Sequence, residues 1–592
     1  MNYERKGYPR PQFVRNSWIN LNGLWTYKIM RDPPAYLKNY EFKEQINTKG
    51  FDKDILVPFP PESKASGANE EEIISCMFYH RVFDIPLEMK GKKILLHFGA
   101  VFYHCEIYIN GKFVDFHDGG STSFSFDITK FVKIDSENDI VVKVISNLQD
   151  GSIPSGKQSS FISSYSCYYK RTTGIWQTVW LETVDECSLN NVRTIWDDTS
   201  NSLIFTPQFN KIKEGQTLTI SISERDIEVA NTTISAVNGF PVCLKINNPK
   251  LWDTKNPFLY DLKYTVKIDD SIIDEVSSYI GLRTVSIRNG QVYLNGKKIY
   301  QRLVLDQGFY EEGNWSAPND EILENDIKLS LAAGFNGARL HQKVFEEKYF
   351  YYADKLGYLV WAESPSWGLD YNNESLPHRN FLSEWAEIIK RDINHPCIIA
   401  WTPLNETFLF KNSLAHKRLH RDAYNLAKEI DPSRFVNDAS GYIHFITDLW
   451  TVHTYEQDPK KLKEQLKLKD NKPFRCFPDC ESEYDGQPYI VDEFGGIKWD
   501  PITQEDFKFS NDQNLKSWGY GEAPKDKEEF YNRLEAQINA LLTTSHIVGY
   551  CYTQLTDVEQ EKNGIYYYSR EEKFDMNKIK TIFKQIPKGF DE

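Results

Sequence analysis

The spacing of apolar and polar residues changes once along the chain, at about residue 286. From residue 18 to about 183, short runs of alternating apolar and polar residues are broken by turn signals such as Asn110-Gly111. The same alternation continues from about 184 to 285. A period of two is typical of antiparallel strands with one buried face, so we predict two β-sandwiches. The first, at 1–183, is jelly-roll-like, and the second, at 184–285, is smaller and immunoglobulin-like.

Beyond residue 286, apolar runs of strand length alternate with helical patterns, which is typical of parallel β/α architecture. Asn319 followed by Asp320 and Glu321 predicts the start of a helix, because the helix dipole favours acids in the first turn. Eight candidate strands predict a (β/α)8 TIM barrel at 286–592. The candidate strands are 299–305, 337–340, 359–363, 398–404, 435–437, 449–453, 489–491 and 548–552.

Two of these strands end in carboxylates. The apolar run 398–404 is followed by Asn405 and Glu406, and the run ending at 491 is followed by Asp492 and Glu493. Reactive groups of such barrels sit at the C-terminal ends of the strands. Two carboxylates on this rim are what glycoside hydrolysis needs, one to protonate the leaving oxygen and one to attack or to activate water.

Composition excludes some partners and leaves others open. The 14 Trp, 34 Tyr and 36 Phe suit sugar binding, but β-rich proteins also favour aromatic residues. A net charge of −14 without a basic stripe argues against nucleic acid and anionic membranes as partners. The N-terminus has no apolar signal segment, and the nine Cys fit reduced core thiols, so we predict a cytoplasmic protein. Cys476 and Cys480 lack a second pair or a His at ligand spacing and predict no zinc site.

Several short stretches resemble glycoside hydrolase family 2, the β-galactosidase and β-glucuronidase family, in the family's order and over nearly the whole chain. The matching stretches are Asn22-Gly23-Leu24-Trp25, 172–182, Ile280-Gly281-Leu282-Arg283, 334–339, Asn405-Glu406 and Asp492-Glu493-Phe494-Gly495. The resemblance implies a sugar-binding sandwich, an immunoglobulin-like domain and a catalytic barrel. It also implies a retaining exo-β-glycosidase that acts on small glycosides.

By this resemblance, Glu406 is the general acid/base and Glu493 the nucleophile. Retention needs carboxyl groups about 5 to 5.5 Å apart, so that one can form a glycosyl ester while the other transfers the proton. Asn405 would hydrogen-bond the sugar 2-OH, which strengthens in the transition state. Arg339 would keep Glu493 ionised, unless it is a structural ion-pair partner.

Further site candidates each have a structural alternative. His453 and Tyr455 would contact the sugar and Glu493, or His453 is a rim residue with satisfied hydrogen bonds. Glu363 is a site member or a structural acid. The remaining candidates are Tyr552 as pocket floor or core, Trp499 as an aromatic platform, His341 in the altered stretch after Arg339, and Asp150 in the loop 150–158, which either enters the pocket or stays on the surface.

Departures from the family pattern bear on the substrate. No His follows Glu363 where large β-galactosidases complete a magnesium site, so we predict no required metal and no cofactor. The segment 554–564 lacks the Asn-x-Lys signature of β-glucuronidases and is acidic, which disfavours a uronate. We therefore expect a β-galactosidase-like enzyme. The alternatives are a β-glucuronidase, a β-xylosidase, an α-L-arabinopyranosidase or a non-catalytic carbohydrate-binding protein. Homo-oligomers are common in the family, but no motif here specifies one.

Overall fold

The N-terminal region is a β-sandwich in the computed structural model, which describes residues 5–30, 46–408, 413–501 and 517–590. Inward-facing apolar residues of its two main sheets form one buried cluster, as the period-two alternation predicts. A 3-10 helix spans Leu87–Met89, and Val101–Phe102 pairs with Gly174–Ile175. The six-stranded sheet contains, in spatial order, Lys53–Val57, Gly23–Ile29, Cys76–Asp84, Glu137–Ile145, His104–Ile109 and Lys112–Asp118, and the four-stranded sheet contains Trp18–Asn20, Val179–Val184, Lys93–Phe98 and Phe124–Asp127.

A second, smaller sandwich follows and has its own apolar cluster. Its strands alternate between buried and more exposed residues, for example Tyr260–Ile268. A three-stranded meander, Val285–Arg288, Gln291–Leu294 and Lys297–Lys298, connects it to the barrel. The sheets of this second sandwich contain Leu189–Asp197, Ser202–Phe209 and Val242–Lys245, and Ile227–Ser235, Gln216–Glu224, Tyr260–Ile268 and Ser271–Ile280.

The C-terminal region forms a curled sheet of eight parallel strands in the spatial order 5-4-3-2-1-8-7-6, which confirms the predicted barrel. Every predicted strand overlaps an observed one. Nearly all residues of these strands are buried, because helices and loops cover the outer face while side chains fill the interior. Barrel strands 1 to 8 are Gln301–Asp306, Gly337–Leu340, Leu359–Glu363, Ile398–Thr402, Phe435–Val436, Trp450–Thr454, Tyr489–Phe494 and Ile547–Tyr552.

Several helices around this sheet begin or end at signals in the sequence. The predicted helix after Asn319 spans Asp320–Ala333, and the Asn319 side chain accepts a hydrogen bond from Ile322 N. It ends at Gly334, whose φ of 102° only glycine adopts readily. Within the described residues no helix has both the length and the apolar character to cross a membrane. The other helices are Glu347–Leu356, Leu376–Asp392, Ser413–Ile430, Pro459–Leu466, Lys527–Leu542 and Met576–Phe583.

Candidate active site

Asn405 and Glu406 lie just above the barrel rim, where a second short pairing extends strand 4. Leu404–Asn405 pairs in parallel with Ala439–Ser440, and Glu406 N donates to Ser440 O at 3.0 Å. Glu406 has φ +45°, a left-handed conformation that is uncommon for residues other than glycine and is often found at functional sites. The backbone therefore fixes the position of Glu406 relative to the rim.

A β-bulge at the end of strand 7 places the side chains of Asp492 and Glu493 beside His453. In the pairing with strand 6, Val452 lies opposite Val491 and His453 lies opposite Glu493, so Asp492 is the extra residue. In a regular strand, adjacent side chains point to opposite faces. Here both carboxylates lie close to the His453 ring, Asp492 Oδ1 at 3.3 Å from Nε2 and Glu493 Oε2 at 3.5 Å from Nδ1.

Arg339, at the end of strand 2, joins three other predicted site residues. Its guanidinium donates to Glu363 Oε2 at 2.6 Å, to Asn405 Oδ1 at 3.1 Å and to Glu493 Oε1. All four residues are buried. The Asn405 amide nitrogen is also buried and has no hydrogen-bond partner in the described part of the chain. This orphan donor beside two carboxylates is what binding a sugar hydroxyl requires.

His453 lies between the two catalytic candidates. Its Nδ1 is 2.7 Å from Glu406 Oε1, and its Nε2 is 3.0 Å from Ser440 Oγ. Burial lowers the pKa of His453, but the carboxylates of Glu493, Asp492 and Glu406 outweigh it and raise this pKa to about 10. His453 is therefore an imidazolium at neutral pH, and its Nδ1–H donates to Glu406.

Tyr455 contacts the same carboxylate oxygen of Glu493 as His453 does. Its hydroxyl donates to Glu493 Oε2, and its ring stacks on Tyr520 with centroids 3.4 Å apart. Burial raises the pKa of Glu493, but the positive charges of His453 and Arg339 outweigh it and lower this pKa to about 2. Glu493 is therefore ionised at neutral pH and held by three donors or charges.

The ligand atoms of Glu406, His453 and Glu493 all lie within 4.8 Å of one another. A carboxylate separation of this size fits the retaining geometry of about 5 to 5.5 Å better than the wider spacing of inverting enzymes. The three residues also form a cluster that could hold a cation, but metal binding needs a neutral imidazole. The surrounding carboxylates raise the pKa of His453, which disfavours the neutral imidazole, and the carboxylate spacing fits a catalytic pair.

Two predicted aromatic residues pack against other aromatic residues of the barrel. Tyr552 is completely buried, with its ring 5.7 Å from that of Phe494. Trp499 packs against Phe530 at 6.3 Å and Phe574 at 5.9 Å. The roles of Tyr552 as pocket floor and of Trp499 as aromatic platform stay predictions.

The loop 150–158 enters the pocket, but through a different residue from the predicted Asp150. Asp150 is exposed, and its Oδ1 accepts a hydrogen bond from Ser152 N at 2.8 Å. Lys157 of the same loop is buried, with Nζ 5.4 Å from the centre of the Trp367 ring. The Trp367 indole donates to Asn405 O at 3.1 Å, which brings Lys157 beside the catalytic rim.

His341 also lies in this pocket. Its Nδ1 is 3.1 Å from Glu363 Oε1. Burial, together with the charges of Lys157 and Arg339, lowers the pKa of His341 well below its usual value, so this ring is neutral. Sequence reasoning had no role for Trp367 or Tyr520, and it counted Glu561 only among the acids of the segment 554–564. The one available signal for the two aromatic residues was the run of aromatic residues that flanks the barrel strands.

Three family models match consecutive parts of the chain. These are the sugar binding domain of glycosyl hydrolases family 2 at residues 19–184, a second glycosyl hydrolases family 2 model at 190–283 and the TIM barrel domain of the family at 285–495. A β-galactosidase of Thermoanaerobacter pseudethanolicus is 27% identical over 81% of this chain and 62% of its own length. A putative β-glucuronidase of Formosa agariphila is 28% identical over 72% of this chain and 51% of its own length. The matches therefore span between about half and two thirds of these curated relatives.

Solved structures with the same fold include two β-glucuronidases. The Lactobacillus rhamnosus enzyme has a TM-score of 0.80 at 19% identity, covering 99% of this chain and all of that chain. The Dictyoglomus thermophilum enzyme has a TM-score of 0.77 at 20% identity, also over 99% and 100% of the two chains. At this level of identity the likeness shows the fold.

Proposed function

Because the chain belongs to glycosyl hydrolases family 2, we propose that it is a retaining exo-β-glycosidase with Glu493 as nucleophile and Glu406 as general acid/base. The observation that carries this proposal is the carboxylate pair within 4.8 Å, whose members have different surroundings. Glu493 is buried and contacted by Arg339 and Tyr455, as suits a permanent carboxylate. Glu406 is partly exposed, with 15% of its side chain accessible, as suits a group that exchanges protons with leaving groups and water.

Hydrolysis would proceed in two displacements. In the first, Glu493 attacks the anomeric carbon while Glu406 gives its proton to the glycosidic oxygen, so the aglycone leaves as an alcohol and a glycosyl ester remains. In the second, Glu406 takes a proton from water, the water oxygen attacks the same carbon, and Glu493 is released. The Asn405 amide would bind the 2-OH in both steps, and Arg339 and Tyr455 would orient Glu493.

For the glycone, we favour a neutral sugar such as β-galactose. The acids of the segment 554–564 are partly engaged in the fold: Asp557 pairs with Lys573 at 2.7 Å, and Glu559 accepts from Lys170 N at 2.9 Å. Glu561 remains as the acid of this segment whose charge acts on the pocket. A β-glucuronidase is the second candidate, because several relatives carry that name.

The test is nitrophenol release from β-galactoside, β-glucoside, β-xyloside, β-glucuronide and α-L-arabinopyranoside, with the configuration of the first-formed sugar followed by NMR. We expect one glycoside to dominate and the anomer with the configuration of that substrate to appear first, because two inversions restore the configuration. A 2-deoxy-2-fluoro glycoside of the preferred sugar should label Glu493, because fluorine slows hydrolysis of the ester. First release of the inverted anomer, or a label on another residue, would contradict the assignment.

A further inference from the structure

Residues 155–158 of the first sandwich, here called the strap, are hydrogen-bonded to the loop after barrel strand 3. Ser155 N donates to Trp367 O at 2.8 Å, and Gly156 N donates to Pro365 O at 3.0 Å. Gly156 has φ +59°, and a Cβ at this position would lie 2.2 Å from Gln342 O. The strap therefore follows the barrel surface at a distance that only glycine allows, and it carries the next residue, Lys157, into the pocket.

Lys157 is an anomaly in this setting. It is 6% exposed, yet among the described residues its Nζ has no hydrogen-bond acceptor within reach and no carboxylate at ion-pair distance. A buried ammonium without an acceptor is costly unless a ligand or water completes its shell. Burial lowers the pKa of Lys157, but the charges of Glu561, Glu493 and Glu406 outweigh it and raise this pKa, so the side chain is a cation.

Glu561, in the segment after barrel strand 8, supplies a negative charge that acts on Lys157. It is 1% exposed, its Oε1 accepts from Asn563 Nδ2 at 3.0 Å, and its Oε2 accepts from the Tyr169 hydroxyl. Each carboxylate oxygen can accept a further hydrogen bond. Tyr169 N also donates to Lys157 O at 2.8 Å, so the strap and Glu561 belong to one assembly.

We propose that Lys157 and Glu561 form a donor and acceptor pair that hydrogen-bonds the hydroxyl groups of a neutral glycone. This inference rests on the glycosidase function proposed above. An ammonium only donates and a carboxylate only accepts, whereas a sugar hydroxyl does both. The pair can thus both donate to and accept from the sugar hydroxyls, while the charges of the ammonium and the carboxylate cancel. A uronate would bring another carboxylate next to Glu561 and Glu493, and the other cations of the pocket, Arg339 and His453, are already engaged by Glu493 and Glu406.

The experiment compares Lys157→Met, Glu561→Gln and the double variant on the glycoside panel. Lys170→Met is the matched control, because Lys170 is an exposed lysine of the same domain. Each single variant should lose about 10- to 100-fold in kcat/KM on the preferred neutral glycoside, the range for a lost hydrogen bond to a charged group. The double variant should lose less than the product of the two, because both residues bind the same hydroxyls.

Substrates that lack one hydroxyl show which hydroxyl of the sugar Lys157 binds. A 3-, 4- or 6-deoxy glycoside that lacks the hydroxyl bound by Lys157 should be poor for the wild type but not further impaired by Lys157→Met. Glu561→Gln should raise the activity on the glucuronide relative to the neutral glycoside, since it removes the repulsion. All variants should still be labelled at Glu493 by the 2-deoxy-2-fluoro glycoside.

Three outcomes would overturn the inference. Lys157→Met could behave as Lys170→Met does, which would mean that the ammonium contacts no part of the glycone. The glucuronide could be the best wild-type substrate and lose that rank in Lys157→Met, which would mean that Lys157 reads a carboxylate. Absence of both turnover and Glu493 labelling in the wild type would instead reject the glycosidase function, and this inference with it.

Discussion

The two walls of the pocket differ in origin and in how they are built. Glu406, Glu493 and Arg339 lie at the ends of barrel strands, joined by direct hydrogen bonds and ion pairs that close on one another. Lys157 comes from a loop of the first sandwich, and its ammonium lies 5.4 Å from the centre of the Trp367 ring without a hydrogen-bond acceptor among the described residues. The charges of the barrel wall are paired with one another, whereas the sandwich wall presents a cation that has no carboxylate at ion-pair distance among the described residues.

This difference separates chemistry from recognition. A reacting group must keep its position within about 0.5 Å, and strand ends backed by a packed core provide that rigidity. A specificity group can lie on a loop, because loops change without disturbing the core. We therefore expect changes to the barrel wall to abolish the reaction and changes to the sandwich wall to alter which sugar reacts.

Removing the two carboxylates should give the largest effect. Glu493→Ala is expected to lower kcat by about 10⁴-fold or more, because no ester can form. Azide should rescue both Glu493→Ala and Glu406→Ala, with different products. In Glu493→Ala, azide replaces the nucleophile and one inversion gives the α-glycosyl azide. In Glu406→Ala, azide opens the ester and two inversions give the β-glycosyl azide, so NMR of the product assigns both roles; exchanged products would reverse the assignment.

The barrel wall and the sandwich wall also differ in how far they could be predicted from the sequence. The barrel strands were predictable because each is an apolar run of strand length, and Glu406 and Glu493 because a carboxylate directly after such a run has no packing role. Asn405, Arg339, His453 and Tyr455 were candidates for the same reason. Their proximity in the structure follows from the parallel order of the strands, which brings all the strand ends to one rim.

The sandwich wall was less accessible to prediction. The loop was a candidate, but sequence alone gave no means to choose between Asp150 and Lys157, because the choice depends on hydrogen bonds to residues about 200 positions away. The packing of Trp499 against Phe530 and Phe574 was hidden as well, because no local pattern reveals these partners. The β-bulge at Asp492 was equally hidden, since a register shift depends on the paired strand.

The next effect should depend on the leaving group, which would distinguish the roles within the barrel wall. Glu406→Gln cannot donate a proton, so kcat/KM for a phenyl glycoside should fall by about 10²- to 10⁴-fold. For a dinitrophenyl glycoside, whose leaving group needs no proton, the loss in kcat/KM should be about 10-fold or less. Stopped-flow measurement of the first turnover is the check, and equal losses on both substrates would remove Glu406 from the acid role.

A smaller effect is expected from loosening the sandwich wall without touching a charge. Gly156→Ala places a Cβ 2.2 Å from Gln342 O and should displace the strap, lowering kcat/KM by about 10- to 100-fold while Glu493 labelling continues. Gly296→Ala is the control, because Gly296 has φ +74° and no atom lies within 4 Å of the position that its Cβ would take. Backbone strain is thus similar in the two variants, and only Gly156→Ala adds the clash. Equal kinetics in both would mean that the strap does not shape the pocket.

The smallest effect should appear in the pH dependence of stability. His453 has its pKa raised from 6.5 to about 10 in the fold, so the stability it contributes is fully present below about pH 6.5 and is lost as pH rises towards 10. The melting temperature of the wild type minus that of His453→Gln should therefore shrink, by a few degrees at most, between about pH 6.5 and 10.

His546 provides a control of opposite sign for this last measurement. Burial lowers the pKa of His546, so protonation favours the unfolded state and the wild type loses stability relative to His546→Gln as pH falls below about 6.5. The melting temperature of the wild type minus that of the variant should increase for His453 as pH falls from about 10 to 6.5. For His546 the same difference should decrease as pH falls below about 6.5. A His453 difference that stays constant up to pH about 10 would mean that His453 is not charged in the fold. The barrel wall would then depend on neutral hydrogen bonds, and its contrast with the cation of the sandwich wall would be sharper.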